Sequence, residues 1–180
     1  RKESQAVERI NNEIKWLKII NKHNLGPHLL FYGQNYFVYQ FVEGEFILDW
    51  ITKIQKTAPK TNTQLNTKTK ITKMLTAVLK QCFILDQLKI NKEEMHRPPK
   101  HIIINSSNHP ILLDFERCSP TKSPKNVTQF IEFICRIDSI LKTNKLKALE
   151  IDVKLFRTLA KEYKHTISHQ NLEKIIKCLS

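Results

Sequence analysis

The sequence predicts an α+β fold, in which two short β hairpins are separated by helices. Apolar residues recur every three or four positions in several long stretches, a spacing typical of amphipathic helices. Two other stretches are short, apolar and interrupted by turn-forming residues, as in β hairpins. At 180 residues and 41% hydrophobic content, the chain is long enough to bury the core of one domain, or of one domain and a fragment of another.

The composition restricts the classes of partner and the compartment. A formal net charge of +13 predicts polyanionic partners such as nucleotides, phosphorylated substrates or nucleic acid, unless it only reflects a Lys-rich composition. The four cysteines are widely spaced, without the spacing of a zinc site or a disulfide framework, so we expect a reducing cytoplasm. No apolar run of about 20 residues predicts a membrane span.

The first half of the chain predicts a helix, a hairpin and two further helices. Apolar residues at helical spacing predict an amphipathic helix over 3–22. His28–Tyr32 and Tyr36–Phe41 are predicted to form an antiparallel hairpin about the turn at residues 33–35. Helical spacing returns over Phe46–Ile54, and 56–70 is predicted to be a loop or mobile insertion because it is polar and Lys/Thr-rich. A buried helix is predicted from Ile71 to about Leu88.

The second half is organised around residues 93–116. Ile102–Asn105 and Ile111–Asp114 are predicted strands joined by the turn Ser106–His109, with charged groups at both ends of this hairpin. Residues 115–125 are expected to be irregular. Asn126 is the predicted N-cap of a helix over Val127–Leu141, and two helices follow at roughly 146–163 and 167–178.

Four segments, taken in order, resemble a protein-kinase-like fold that lacks its first strands. Glu13 and the apolar residues after it resemble kinase helix C, and Tyr36–Gly44 resembles the strand and hinge that hold adenine. Lys92–His101 lies where the catalytic loop falls, and Leu113–Glu116 resembles the magnesium-binding Asp-Phe-Gly motif. The Arg-Pro-x-Lys-His and Asp-Phe-Glu sequences are similar to those of small archaeal predicted serine/threonine kinases, relatives of the Rio and KEOPS kinases.

The resemblance implies a division of the chain and a set of ligands. Residues 1–45 would form a partial N-lobe with the hinge, and 46–180 a minimal, mostly helical C-lobe. ATP and Mg²⁺ are the implied ligands. Adenine would lie against Tyr39, the hinge backbone at Gln40–Val42, and Ile103, while Glu13 would pair with a Lys of strand three. That Lys and the Gly-rich loop are not in this sequence. We therefore expect a missing N-terminal piece and weak ATP binding without it.

Spacing supports a metal pair. In kinases the metal-binding Asn precedes the motif Asp by about 13 residues, which corresponds here to His101 and Asp114. Magnesium prefers oxygen ligands. His101 could therefore bind the metal, contact phosphate, hold Asp114, or simply be a structural residue of the loop.

The catalytic base has several candidates because the usual His-Arg-Asp is absent. The resemblance implies Glu94, with Glu93 as the near alternative, and His96 occupies the base position by direct spacing. Lys100 is the implied cation near the transferred phosphoryl group, and Arg97 lies in the same loop. All of these could instead be solvated loop charges.

The predicted function is an ATP- and Mg²⁺-dependent phosphotransferase, an atypical serine/threonine kinase or ATPase acting on a protein or RNA-associated substrate. The first alternative is a pseudokinase scaffold that binds a partner. A basic nucleic-acid-associated module is the other, which the charge of +13 permits.

Overall fold

The computed structural model describes residues 2–57, 64–143 and 149–179. These residues form six α-helices and seven short strands, which confirms the α+β class. The helices are α1 (Lys2–Ile20), α2 (Ile47–Thr57), α3 (Gln64–Gln87), α4 (Asn126–Thr143), α5 (Val153–His165) and α6 (His169–Lys177). The strands are β1 (Leu29–Tyr32), β2 (Phe37–Tyr39), β3 (Glu45–Phe46), β4 (Ile90–Lys92), β5 (Ile102–Ile104), β6 (Pro110–Leu112) and β7 (Cys118–Pro120).

The strands pair in three small antiparallel sheets. The first sheet contains β1 and β2, and the second contains β3, β5 and β6, with β5 in the middle. The third sheet contains β4 and β7. The two predicted hairpins are therefore confirmed. In the turn of the β5–β6 hairpin, the Asn105 carboxamide oxygen accepts hydrogen bonds from the backbone N–H groups of Ser107 (3.0 Å) and His109 (2.9 Å). Such an Asx-type turn explains how a polar stretch closes the hairpin.

The core lies around α3, whose apolar stripe is fully buried against α4 and the β5–β6 hairpin. Its members include Ile71, Leu75, Val78, Leu79 and Leu85. The β1–β2 hairpin, in contrast, is poorly covered, and four of its apolar side chains are more than half exposed: Leu30, Phe31, Tyr32 and Tyr36. None of the described helices is long and apolar enough to cross a membrane.

Three predicted boundaries are wrong. The Lys/Thr-rich composition of 56–70 predicts a loop, but α3 begins at Gln64, so residues 64–70 are helical. Residues 58–63 lie outside the described residues. Residues 115–125 are not wholly irregular, because β7 pairs there with β4. The helix predicted from 146 begins at Val153, after the capping residue Asp152, and 144–148 lies outside the described residues.

The N-terminus of α4 is capped from another helix. Asn126 was the predicted cap, but it is the first residue of α4, and the carboxylate of Asp86 accepts the backbone N–H groups of Asn126 (3.0 Å) and Val127 (3.3 Å). Asp86 is fully buried, and burial raises the pKa of its carboxyl. Tyr163 of α5 also donates its hydroxyl to Asp86 at 3.0 Å. One buried carboxylate therefore joins α3, α4 and α5.

Candidate active site

Asp114 follows strand β6 and has an unusual backbone conformation. The Leu113 N–H donates to the His101 carbonyl at 2.8 Å, so the two chains of the hairpin stay paired up to the residue before Asp114. Asp114 then adopts φ +63°, in the left-handed region that side chains other than Gly rarely occupy. Strained residues of this kind concentrate at functional sites.

His101 holds one oxygen of this carboxylate. Its Nδ1 lies 3.2 Å from Asp114 Oδ2. Burial and the nearby positive charge of Lys92 lower the pKa of His101, outweighing the opposite effect of Asp114. The contact corresponds to one of the roles open to His101, that of holding Asp114, and its role as a metal ligand stays a prediction.

Helix α1 reaches the same segment through Glu13. The Glu13 side chain is buried, and its Oε2 accepts the backbone N–H of Phe115 at 2.7 Å. Burial raises the pKa of Glu13 to about 7, although the Phe115 hydrogen bond and the charge of Lys92 oppose the shift. The Asn12 side-chain amide donates to the carbonyls of Glu116 (2.5 Å) and Cys118 (3.1 Å). α1 therefore fixes the backbone on the C-terminal side of Asp114.

A buried lysine connects the loop to Asp114. Lys92 ends strand β4, is 0% exposed, and its Nζ lies 3.0 Å from Glu94 Oε2. The same ammonium donates to the backbone carbonyl of Asp114 and lies 4.8 Å from the centre of the Phe115 ring. Lys92 therefore joins Glu94 and the Asp114–Phe115 backbone.

The position of Lys92 depends on Asn126. The Asn126 carboxamide oxygen accepts the Lys92 N–H at 2.8 Å, and its amide group donates to Asp86 and to the Ile90 carbonyl, both at 2.7 Å. The buried contacts thus run from Asp86 through Asn126 to Lys92.

The three candidate bases differ in their surroundings. Glu94 is 7% exposed, and its Oε1 has no hydrogen-bond partner among the described residues. Glu93 is exposed, with Arg117 3.9 Å from its carboxylate. His96 is also exposed and lies with Nδ1 2.6 Å from the Glu93 carbonyl oxygen. Only Glu94 is linked to Asp114, through Lys92.

Lys100 and Arg97 are both exposed. Lys100 closes a short 3-10 turn, Pro98–Lys100, directly before His101. Neither side chain forms an ion pair within the described part of the chain, so both are available to an anionic ligand.

The predicted adenine-contacting residues only partly converge. Burial raises the pKa of Tyr39, and the negative charges of Glu13 and Asp114 raise it further. The Tyr39 hydroxyl therefore lies close enough to these two carboxylates to interact with them electrostatically. Gln40 and Val42 line a cavity of about 370 Å³, a size found among small-molecule sites. Ile103 is not part of its lining. It contacts Gly44, where an added Cβ would lie 2.6 Å from Ile103 Cγ2.

A ready-made metal cage is not part of the described structure. Among the described residues, no three His, Cys, Asp or Glu side chains converge as ligands. A magnesium–nucleotide site does not need such a cage, because one or two carboxylates and the phosphates suffice. The Asp114 carboxylate is 37% exposed, and His101 contacts only Oδ2, so Oδ1 can serve as an oxygen ligand.

Sequence reasoning missed Lys92 and Asn12. Lys92 and Ile90 lie on the buried side of a short strand, but nothing in this loop-like segment marks a lysine as buried. The Asn12 amide had no sequence signal, since the groups that accept its hydrogen bonds are backbone carbonyls more than 100 residues away.

No known protein-family model matches the chain, and no curated protein matches its sequence.

Proposed function

We propose that this chain carries the active site of an ATP- and Mg²⁺-dependent phosphotransferase with a kinase-like arrangement. The observation that carries the proposal is the set of contacts that joins Glu13 and Glu94 to the Asp114–Phe115 backbone. Glu13 accepts the Phe115 N–H, and Lys92 pairs with Glu94 and donates to the backbone carbonyl of Asp114. The kinase resemblance implies a functional role for Glu13, Glu94 and Asp114.

Asp114 would hold Mg²⁺ through the carboxylate oxygen that His101 does not contact. A hard oxygen ligand suits magnesium, whereas the His101 imidazole suits a supporting role as the donor that orients Asp114. When bound, ATP supplies the phosphoryl group and Mg²⁺ neutralises charge on its phosphates.

Glu94 is the proposed general base. Its Oε1 is buried and has no hydrogen-bond partner among the described residues, so accepting the proton of a substrate hydroxyl requires this oxygen to become exposed when the substrate binds. Lys92 holds the other carboxylate oxygen at 3.0 Å, which fixes the orientation of the group. Lys100, exposed beside His101, is the cation proposed to stabilise negative charge on the transferred phosphoryl group. The acceptor is proposed to be a serine or threonine hydroxyl, with water as the acceptor in an ATPase.

The test measures phosphate transfer from ATP to a protein acceptor or to water, in wild-type protein and in two neighbouring variants. Glu94→Gln should lower the rate by about 10²- to 10⁴-fold. Glu93→Gln makes the same chemical change one residue away on an exposed side chain, and it should leave the rate unchanged. Thermal melts of both variants separate loss of chemistry from loss of folding.

Two results would contradict the proposal. The absence of any transfer or hydrolysis at millimolar ATP and Mg²⁺, in a protein that also carries a Gly-rich loop and a strand-three Lys, would rule out the enzyme. If the rate fell in Glu93→Gln but not in Glu94→Gln, Glu94 would not be the base.

A binding module without turnover is the second candidate. The observation in its favour is that Glu94 is 7% exposed and already paired with Lys92, as in a carboxylate with a structural role. Nucleotide binding without transfer, unchanged in Glu94→Gln, would favour it.

A further inference from the structure

We propose that a groove beside the candidate active site binds a single nucleic-acid strand through its phosphate backbone. The groove has a volume of about 620 Å³ and lies between α4, α5 and the loop that follows β4. Of its described lining residues, only Glu132 is acidic, and five are Lys or Arg: Arg97, Arg136, Arg157, Lys161 and Lys164.

The cations of α5 form one row. Arg157, Lys161 and Lys164 are spaced by four and three residues, which puts them on one face of the helix. At 1.5 Å per residue this row is about 10 Å long. A row of this length can contact successive phosphates of one nucleic-acid strand through Lys161 and Lys164, while Arg157 is paired with Glu132.

Little of this positive charge is neutralised within the protein. Glu132 receives two hydrogen bonds from Arg157, each 3.0 Å long, so the one acid of the groove is already paired. Glu162, on α5, pairs instead with Lys174 of α6 at 3.2 Å. Within the described part of the chain, no ion pair involves Lys161, Lys164 or Arg97.

The groove begins at the loop that carries Glu94. Arg136 of α4 donates to the His96 carbonyl at 2.6 Å, which fixes the outer end of this loop against the groove wall. Arg97 extends the row of cations into the loop itself. A strand in the groove would therefore lie next to the candidate active site.

The lining favours a nucleic acid over an acidic peptide. Peptide and protein interfaces obtain most of their affinity from large buried apolar anchors. Ala160 is the single apolar residue among the described lining residues, so the rest of the apolar lining comes from the stems of polar and charged side chains, whose cationic ends favour a polyanion. The exposed ring of His96 offers a surface on which a base can stack. The net charge of +13 and the isoelectric point of about 9.7 add long-range attraction for a polyanion.

The test uses fluorescence anisotropy of labelled oligouridine across a range of salt concentrations, with oligothymidine and polyglutamate for comparison. We expect the full chain to bind both oligonucleotides, since they share the phosphate backbone, and to bind polyglutamate more weakly. Lys161→Gln with Lys164→Gln should weaken binding several-fold and reduce the slope of log K against log salt by about 1.4, the value for two lost contacts on a single strand.

The matched control replaces two exposed lysines of α3, Lys73→Gln with Lys80→Gln, which changes the net charge by the same amount. It should leave both affinity and slope near the wild-type values. No binding of either oligonucleotide at low salt, equal weakening in the two double variants, or tighter binding of polyglutamate would overturn the proposal. Asp114→Asn should bind the strand normally, so this result is independent of the phosphotransfer proposal.

Discussion

The carboxylate of Glu13 accepts a hydrogen bond of 2.7 Å from the backbone N–H of Phe115, 102 residues further along the chain. Charged groups that face Glu13 include Asp114, Lys92 and Glu116. The bond anchors the segment after Asp114 to helix α1, at the cost of burying a carboxyl group. Burial raises the pKa of this group from 4.5 to about 7.

This raised pKa predicts a pH-dependent stability. Below pH 4.5 Glu13 is protonated in both the folded and unfolded states, and between 4.5 and about 7 only the folded state retains the proton. Stability should therefore fall as the pH rises through this window, by up to about 3 kcal/mol. In Glu13→Gln the amide oxygen can still accept from Phe115 but cannot titrate. Its free energy of unfolding should depend less on pH between 4.5 and about 7, measured by urea denaturation in metal-free buffer. An unchanged pH dependence would contradict the assignment.

Because Lys92 pairs with Glu94, the effects of substitutions at these two positions on the free energy of unfolding should not be additive. Lys92→Met should lower the free energy of unfolding by about 3–5 kcal/mol, because it leaves the carboxylate of Glu94 buried without its partner. Combining it with Glu94→Gln removes that charge, so the double variant should recover part of the loss. Urea denaturation of the two single variants and the double variant measures the coupling. Losses that simply add would show that the ion pair does not stabilise the buried loop.

The sequence predicted the long helices and both hairpins because their apolar periodicity is strong and local. Asp114 could be selected because kinase-like motifs keep a fixed order and spacing, whereas Glu94 was chosen from the family resemblance and spacing alone indicated His96. Lys92 could not, since nothing local marks a lysine as buried. Its environment is created by Phe115, Asp114 and Asn126, which lie 22 to 34 residues away in the sequence. The β4–β7 pairing was missed because no short turn joins these two strands in the sequence, unlike the strands of the two hairpins.

Removal of the Asp86 carboxylate should destabilise the protein more than removal of an exposed helix cap. Asp86→Ala would leave two buried backbone N–H groups, the Asn126 amide and the Tyr163 hydroxyl without this acceptor. We expect a loss of about 2–4 kcal/mol, since each buried unsatisfied group costs about 1–3 kcal/mol and some relaxation occurs. Asp152→Ala is the matched control, because Asp152 is an exposed cap that accepts from Lys154 and Leu155. Its loss should be about 1 kcal/mol. Equal losses, measured by thermal or urea denaturation, would show that burial adds nothing at Asp86.

The positive φ of Asp114 predicts that two variants which both lose the carboxylate will differ in stability. Asp114→Gly and Asp114→Ala both remove the carboxylate, but only Gly adopts φ +63° without strain. The Gly variant should be more stable than the Ala variant by about 1 kcal/mol, measured by urea denaturation. Neither should bind a magnesium–nucleotide complex. An Ala variant as stable as the Gly variant would indicate that the backbone conformation at 114 carries no strain.

The most direct measurement is the thermal stabilisation of the protein by ATP with Mg²⁺, compared between wild type and Asp114→Asn. Asn tolerates the left-handed backbone and keeps the shape of the side chain, so the variant removes only the charge. Wild-type protein should melt at a higher temperature when ATP and Mg²⁺ are both present. At a ligand concentration of a hundred times Kd, binding should raise the free energy of unfolding by about 2.7 kcal/mol. ATP without Mg²⁺, or Mg²⁺ without ATP, should not raise the melting temperature. Asp114→Asn should show no shift. An equal shift in the variant would contradict the account, as would no wild-type shift at millimolar ATP in a protein that also carries a Gly-rich loop and a strand-three Lys.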